Sequence, residues 1–224
     1  MAVANTTYRK GEQLCRVLDI HWLTDSVYLL RFERNDTVFI PGQYLTISRA
    51  DCLNAREYSI YSGKNDNYFE VLIKAVPDGV VSQQLKEVKS GNLLRVGGPH
   101  GNFCLPAQAP ENFRYLFIAT GTGIAPIHSI VRSYPKLDYT LLHGVSFAHE
   151  AYGAEDFDAQ RHILCTSKDN GKFRGRVTHY LETMDVPLDT LCYLSGNSQM
   201  IFEAYGILRK KHIPVKQIFT EVYF

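Results

Sequence analysis

The chain lacks any long apolar run: nothing in its 224 residues approaches the length a helix needs to span a bilayer. Met1 to Lys10 has no apolar core of the kind a signal peptide carries. There is no surplus of charge either. A net charge of +1 is too small a field to gather nucleic acid or an anionic membrane surface. The five cysteines (Cys15, Cys52, Cys104, Cys165, Cys192) are odd in number, widely spread, and form no C-x-x-C or C-x4-C-x2-C pattern. An encoded zinc ribbon and a plant-type iron–sulfur cluster are thereby excluded. The thiols read as small buried apolar residues of a reducing compartment. The eight histidines include no H-x3-H or H-E-x-x-H pair, so no metal site is expected. A hydrophobic content of 45% excludes disorder. The expectation is a soluble, cytoplasmic, monomeric protein without nucleic-acid or membrane partners. Its length allows one large domain or two small ones.

What is present falls into two patterns. Short apolar segments at 14–18, 27–32, 39–44, 56–61, 68–75 and 92–96 are separated by turn residues, including Pro41-Gly42. Such a series predicts a small antiparallel β-barrel. One helix, 80–88, interrupts it after Pro77-Asp78-Gly79. Its N-terminus offers free backbone N–H groups to a phosphate, Gly79 allows close approach, and Ser82 adds a hydroxyl. A plainly capped helix fits the same residues. Pro106-Ala107-Gln108-Ala109-Pro110 reads as a linker, which places a domain boundary between 1–108 and 109–224.

Beyond it, strands at 115–119, 139–145, 161–166, 191–194 and 217–223 alternate with helices at 127–134, 177–184 and 199–211. This predicts a doubly wound α/β domain with a parallel sheet, whose ligands bind beyond the carboxyl ends of the strands. Gly121-Thr122-Gly123-Ile124-Ala125-Pro126 sits at such an end. Two glycines can wrap a phosphate and Pro126 suits a first helical turn, although a plain tight turn would read alike.

One stretch in the first half carries chemistry. Arg56-Glu57-Tyr58-Ser59-Ile60 reads as a strand, so Arg56, Tyr58 and Ile60 share a face and Ser59 leans to the other. An arginine forks onto phosphate, a tyrosine lies on a ring system, and a serine bonds a ring edge. A flavin dinucleotide wants all three together; an ordinary surface strand needs none of them.

Taken together, the motifs resemble the ferredoxin–NADP reductase family, in its bacterial ferredoxin/flavodoxin reductase branch. The resemblance spans nearly the whole chain. It rests on Arg56-Glu57-Tyr58-Ser59, Gly79-Val80-Val81-Ser82, the Gly121–Pro126 loop, Ser195-Gly196-Asn197-Ser198-Gln199-Met200 and Glu221-Val222-Tyr223-Phe224, in that order. It implies two domains, an FAD-binding β-barrel and a Rossmann-like NAD(P)-binding domain. Arg56, with the N–H groups of Val80, Val81 and Ser82, would hold the FAD pyrophosphate. Tyr58, Ser59, Ile60 and the backbone of Ile73, Lys74, Ala75 and Val76 would line the flavin. Thr122 would sit where the domains meet, and Tyr223 or Phe224 would cover the far ring face. Ser59, Glu221 and Tyr223 would be the catalytic residues, with Glu221 relaying a proton through Ser59.

The nucleotide would lie along Gly121, Thr122, Gly123, Pro126, Gly196, Asn197 and Met200. Ser195 stands where the family commonly has cysteine. Ser146 and Ser167 fall where NADP-using relatives often carry arginine, which weakens the case for a 2′-phosphate. The end of the second sheet strand, His143-Gly144-Val145-Ser146, holds no acid to select NAD. Lys168, Lys172, Arg174 and Arg176 are nearby cations, and Arg176 matches the family's G-R pair. The resulting expectation is FAD plus NADP(H), with NADH as the alternative, and a separate ferredoxin or flavodoxin as electron carrier. An NADH-dependent oxygenase reductase component or free-flavin reductase is the second reading. A flavin-binding regulatory subunit is the non-enzymatic one.

Overall fold

Apolar side chains at alternate positions build the first half of the chain into a barrel. The computed structural model describes residues 11–108, 110–169 and 173–223. Met1 to Lys10, Lys172 and Phe224, on which earlier expectations rest, lie outside the described residues. Strands β1 (Glu12–Trp22), β2 (Val27–Glu33), β3 (Tyr44–Arg49), β4 (Arg56–Ser59), β5 (Tyr68–Lys74) and β6 (Leu93–His100) form one antiparallel sheet in the order β4-β3-β6-β1-β2-β5. A bridge between Ile60 and Val71 joins the two edge strands, so the sheet nearly closes. Closure removes exposed edges. Tyr28, Leu30 and Phe32 of β2 and Phe69, Val71 and Ile73 of β5 point into one core, each set at the two-residue period of a strand. Helix α1 (Val80–Lys86) adds Val81 and Leu85 to that core.

The second half is a six-stranded parallel sheet. Strands β7 (Arg114–Thr120), β8 (Asp138–Val145), β9 (His162–Thr166), β10 (Phe173–Arg174), β11 (Leu191–Asn197) and β12 (Ile218–Tyr223) lie in the order β10-β9-β8-β7-β11-β12. Residues 115–119 of β7 are at most 2% exposed, because helices cover both faces of the sheet. Helix α2 (Ala125–Ser133) covers one face, and α3 (Val177–Thr183) and α4 (Ser198–Lys210) cover the other. The strand order reverses between β7 and β11, which opens a crevice beyond their carboxyl ends. The expected boundary after residue 108 lies between β6 and β7.

Three local differences from the sequence expectation have physical causes. Strand β11 continues to Asn197, because Ser195 to Asn197 still pair with β12. The Gly121–Ile124 loop is a 3₁₀ turn running directly into α2, which therefore begins at Ala125. Strand β10 is only two residues long and pairs with β9, too short for any hydrophobic period to show.

The two halves share an apolar cluster in which Val27, Tyr61 and Leu72 of the barrel side meet Ile127 and Ile130 of α2. Within it, the Tyr61 and His128 rings stack at 3.6 Å and 6°. His128 Nδ1 lies 2.7 Å from the Tyr61 carbonyl oxygen and Nε2 lies 2.8 Å from Asp156 Oδ2. The ring is thus held between a backbone carbonyl of the barrel side and a carboxylate of the second half. Arg132 forks onto Asp66 beside it, at 2.8 and 3.1 Å. The hydrogen bond from His128, opposed by burial, holds Asp156 below its ordinary range. Stabilisation by a depressed carboxylate is present above its unfolded value and lost as pH falls through the folded one. Asp156→Asn should therefore destabilise the protein at neutral pH, and the difference from wild type should shrink as pH drops below about 4. Chemical denaturation at a series of pH values measures this. A difference that stays constant with pH would show that the pair carries no such linkage.

Candidate active site

The ends of β4 and β12, from opposite halves of the chain, meet at three hydroxyl and carboxyl groups. The Ser59 hydroxyl donates to Glu221 Oε1 at 2.5 Å, and the Tyr223 hydroxyl donates to Ser59 Oγ at 2.6 Å. The proton order is thus phenol to serine to carboxylate. Parallel pairing places Ser195 of β11 opposite Glu221, and the buried Ser195 hydroxyl also faces the phenol. Burial pushes the Glu221 carboxyl up, the Ser59 hydrogen bond opposes this, and the Glu57 carboxylate adds to the rise. Burial, and behind it the Glu221 charge, hold the Tyr223 phenol far above its usual range. A carboxylate pushed up by burial is able to hold a proton closer to neutral pH than a solvated one.

The remaining residues of the flavin motif divide by exposure. Arg56 is exposed, and its guanidinium donates to the neighbouring Ala55 carbonyl at 3.2 Å. Tyr58 packs its ring on the barrel core, and burial pushes its hydroxyl up to about 12. The side chains of Ile60, Ile73, Ala75 and Val81 belong to that core, so a ligand meets their backbone only. Val76 and Val80 are exposed. Ser82 differs from the sequence picture: its hydroxyl donates to the Gly79 carbonyl at 3.1 Å and accepts from Val76 N–H at 3.3 Å. A Cβ at Gly79 would stand 2.4 Å from that oxygen, which is why a glycine is required. What this turn offers an anion is the backbone N–H groups of Val80, Val81 and Ser82, which have no intrahelical acceptors.

Beyond the strand ends lies a cavity of about 470 Å³. Among the expected residues, Lys74, Gly121, Thr122, Ser146, Arg176, Gly196, Asn197, Met200 and Tyr223 line it, as does Ser167. Lys168, Arg174, Gly123 and Pro126 do not line it. The Lys168 amine lies over the Phe147 ring, Arg174 sits on the edge strand β10, and Pro126 is buried in the first turn of α2. Gly123 meets the backbone of Gly196: a Cβ on Gly123 would stand 2.6 Å from the Gly196 Cα. Gly196 has φ +126, and its Cβ would fall 2.4 Å from Thr120 Oγ1 and 2.8 Å from the Thr120 carbonyl oxygen. The two loops therefore touch main chain to main chain. Gly196→Ala should cost about 3 kcal/mol and lower Tm by about 6–12 °C, from left-handed strain plus this clash. A thermal melt within 2 °C of wild type would refute the assignment, the marker being a shift well under about 1 kcal/mol. The Asn197 side chain caps α4, accepting from Gln199 and Met200 N–H at 2.9 and 3.3 Å.

Two acidic residues of the cavity were not visible as site residues in the sequence. Glu150 ends a short 3₁₀ turn after β8 and folds back, so Oε2 accepts from Ser146 and Phe147 N–H, each at 2.9 Å. The strand end thus has an acid beside it, although none stands there in the linear sequence. The signal was a glutamate three residues after Phe147, the residue that precedes the turn, at the position that reaches back to cap a helix start. Glu203 of α4 lies with Oε1 3.9 Å from Arg176 Nη1.

The chain is similar to known proteins in sequence and in fold. Residues 15–104 match the oxidoreductase FAD-binding domain. The chain is 34% identical over 130 residues to the flavodoxin/ferredoxin–NADP reductase of Rhodobacter capsulatus, covering 54% of this chain and 47% of that protein. It is 32% identical over 123 residues to methane monooxygenase component C of Methylosinus trichosporium, covering 53% of this chain and 36% of that one. It thus spans less than half the length of either relative. A ferredoxin NADP+ reductase from Neisseria gonorrhoeae, solved with bound FAD and NADP, superposes with a TM-score of 0.87 at 21% identity, covering 96% of this chain and 100% of that one. At that identity the likeness is one of fold.

Proposed function

We propose, from the premise that this chain belongs to the ferredoxin–NADP reductase family and is an FAD-binding oxidoreductase, that it moves electrons between NADP(H) and a separate carrier protein, a ferredoxin or flavodoxin. The observation that carries this reading is the Tyr223–Ser59–Glu221 chain of hydrogen bonds, which brings the flavin strand of the barrel against the last strand of the nucleotide domain. FAD, when bound, supplies hydride acceptance from nicotinamide and release of electrons one at a time.

The chain's own residues do the rest. Arg56 and the α1 N–H groups hold the pyrophosphate, and their fit is supported by an exposed guanidinium whose described hydrogen bond goes only to its neighbour's carbonyl. Tyr58, Ser59, Thr122 and the backbone of residues 73–76 line the ring system. Tyr223, with Phe224 beyond the described residues, seals it from water until nicotinamide displaces the seal. Glu221 Oε1 accepts from the Ser59 hydroxyl and takes up or returns a proton through Ser59 Oγ. Arg176 lines the cavity at its strand-end side and serves the 2′-phosphate.

An absorbance spectrum of the purified protein, followed by titration with NADPH, tests this directly. A yellow protein that NADPH bleaches, and that a ferredoxin or flavodoxin re-oxidises, is the expected result. A protein that stays colourless with added FAD would sink it. A flavin that no nicotinamide nucleotide bleaches would favour the regulatory-subunit reading. The likeness to methane monooxygenase component C favours one other reading, electron delivery to an oxygenase. Re-oxidation by an oxygenase component but by neither small carrier would decide for it.

A further inference from the structure

The cavity is not simply basic at its adenosine end. Arg176 is 62% exposed in its side chain and shares that end with two carboxylates, Glu150 and Glu203. Glu203 Oε1 lies 3.9 Å from the guanidinium and also accepts from Gln199 Nε2 at 3.0 Å, so the cation already faces an anion. Ser146 and Ser167 contribute only neutral groups to the lining. Glu150 is held in place by two backbone N–H groups, both on Oε2. Among the described residues, Oε1 accepts no hydrogen bond. A carboxylate fixed by its own backbone loses little freedom when it binds. It stands beside the carboxyl end of β8, the strand next to β7, whose Gly121-Thr122 turn lines the same cavity. In doubly wound sheets an acid at this place accepts from the ribose hydroxyls of a dinucleotide, whereas a phosphate on the same carbon meets like charge.

We propose that Glu150 is a nucleotide-selecting residue: it takes the free 2′-hydroxyl of the adenosine ribose, so that NADH is accepted alongside NADPH, and selectivity is the balance of Glu150 against Arg176. This rests on reading the cavity as the nucleotide site. Glu203 moderates the balance by partly neutralising Arg176.

Two measurements test the proposal. The first is calorimetric binding of ADP-ribose and of 2′-phospho-ADP-ribose to the FAD-loaded protein, which requires no hydride transfer. Wild type should bind the two within about tenfold of each other. Glu150→Gln, which keeps an oxygen for the Ser146 and Phe147 N–H groups, should shift the ratio about tenfold or more toward the phosphorylated compound, the magnitude of a hydrogen bond to a charged group. The second is the ratio of kcat/KM for NADH and NADPH, which should move the same way in the variant. A wild-type preference for the phosphorylated compound beyond tenfold, or a ratio that Glu150→Gln leaves unmoved, overturns the proposal. The wild-type measurement stands even if the variant does not fold. Binding of neither compound would instead overturn the cavity's assignment as the nucleotide site.

Discussion

Glu221→Gln should lower turnover about a hundredfold or more, the usual contribution of a positioned acid–base group. The substitution keeps an oxygen for the Ser59 hydroxyl, so the 2.5 Å contact has a neutral counterpart and the β11–β12 pairing is untouched. What it removes is the titrating proton. The loss should therefore appear in kcat, and the limb of the pH profile that reports this group should vanish. A second readout follows from linkage. Burial raises the folded-state pKa of Glu221, so its charge burdens the folded protein once pH rises through the window between the unfolded and folded values. Wild-type stability should fall over that window, and the variant should be flat across it and more stable at neutral pH. Chemical denaturation from pH 4 to 8, a range of about four units around the ordinary carboxylate and histidine values, distinguishes the two. If kcat is unchanged while stability rises as described, Glu221 is a buried structural acid and has no place in proton transfer.

Arg56→Gln should weaken FAD binding about a hundredfold, and the protein should lose its colour on dilution. Two charge-assisted hydrogen bonds to a pyrophosphate, each worth about 1.5–3 kcal/mol, account for a change of that size. The fold should not notice. The guanidinium is exposed, and its described hydrogen bond reaches only the neighbouring Ala55 carbonyl. Apoprotein melting should thus be within about 0.5 kcal/mol of wild type, as for surface substitutions generally. Ser82→Ala makes the informative contrast. Its hydroxyl closes the turn between Val76 and Gly79, so this change should lower stability while leaving FAD affinity within a few-fold. Flavin fluorescence titration and thermal melts of both variants check the pair. Equal loss of FAD affinity in both would mean that the cradle is shaped by the turn rather than charged by Arg56.

The periodicities made both folds legible. Period-two apolar residues, such as Tyr28, Leu30 and Phe32, can bury only one face of a strand, so they announce a barrel wall. The unbroken run at 115–119 needs cover on both faces, so it announces a parallel sheet between helices. Strand β4 and the turn at Gly121–Ile124 were readable for a related reason: glycine, proline and turn residues constrain the backbone locally. The His128–Asp156 pair was not readable. Twenty-eight residues separate the partners, and the third group, the Tyr61 carbonyl, lies on the other half of the chain. Nothing in a lone histidine marks it as a bridge between the two halves.

The sequence alone determined that Arg56, Ser59 and Glu221 are present, in an order that suits a flavin strand and a terminal strand. It could not determine that they meet. Ser59 and Glu221 are 162 positions apart, and their contact exists only because one sheet closes into a barrel and the other ends in a strand whose last residues face it. The tertiary structure likewise decided the charge of the cavity at the end of β8. The carboxyl end of β8 itself holds no acid, but a turn returns Glu150 to that end, and α4 sets Glu203 against Arg176. Local patterns settle which element forms, because they act over a few residues. Chemistry between groups far apart in the chain depends on packing, which no local pattern encodes.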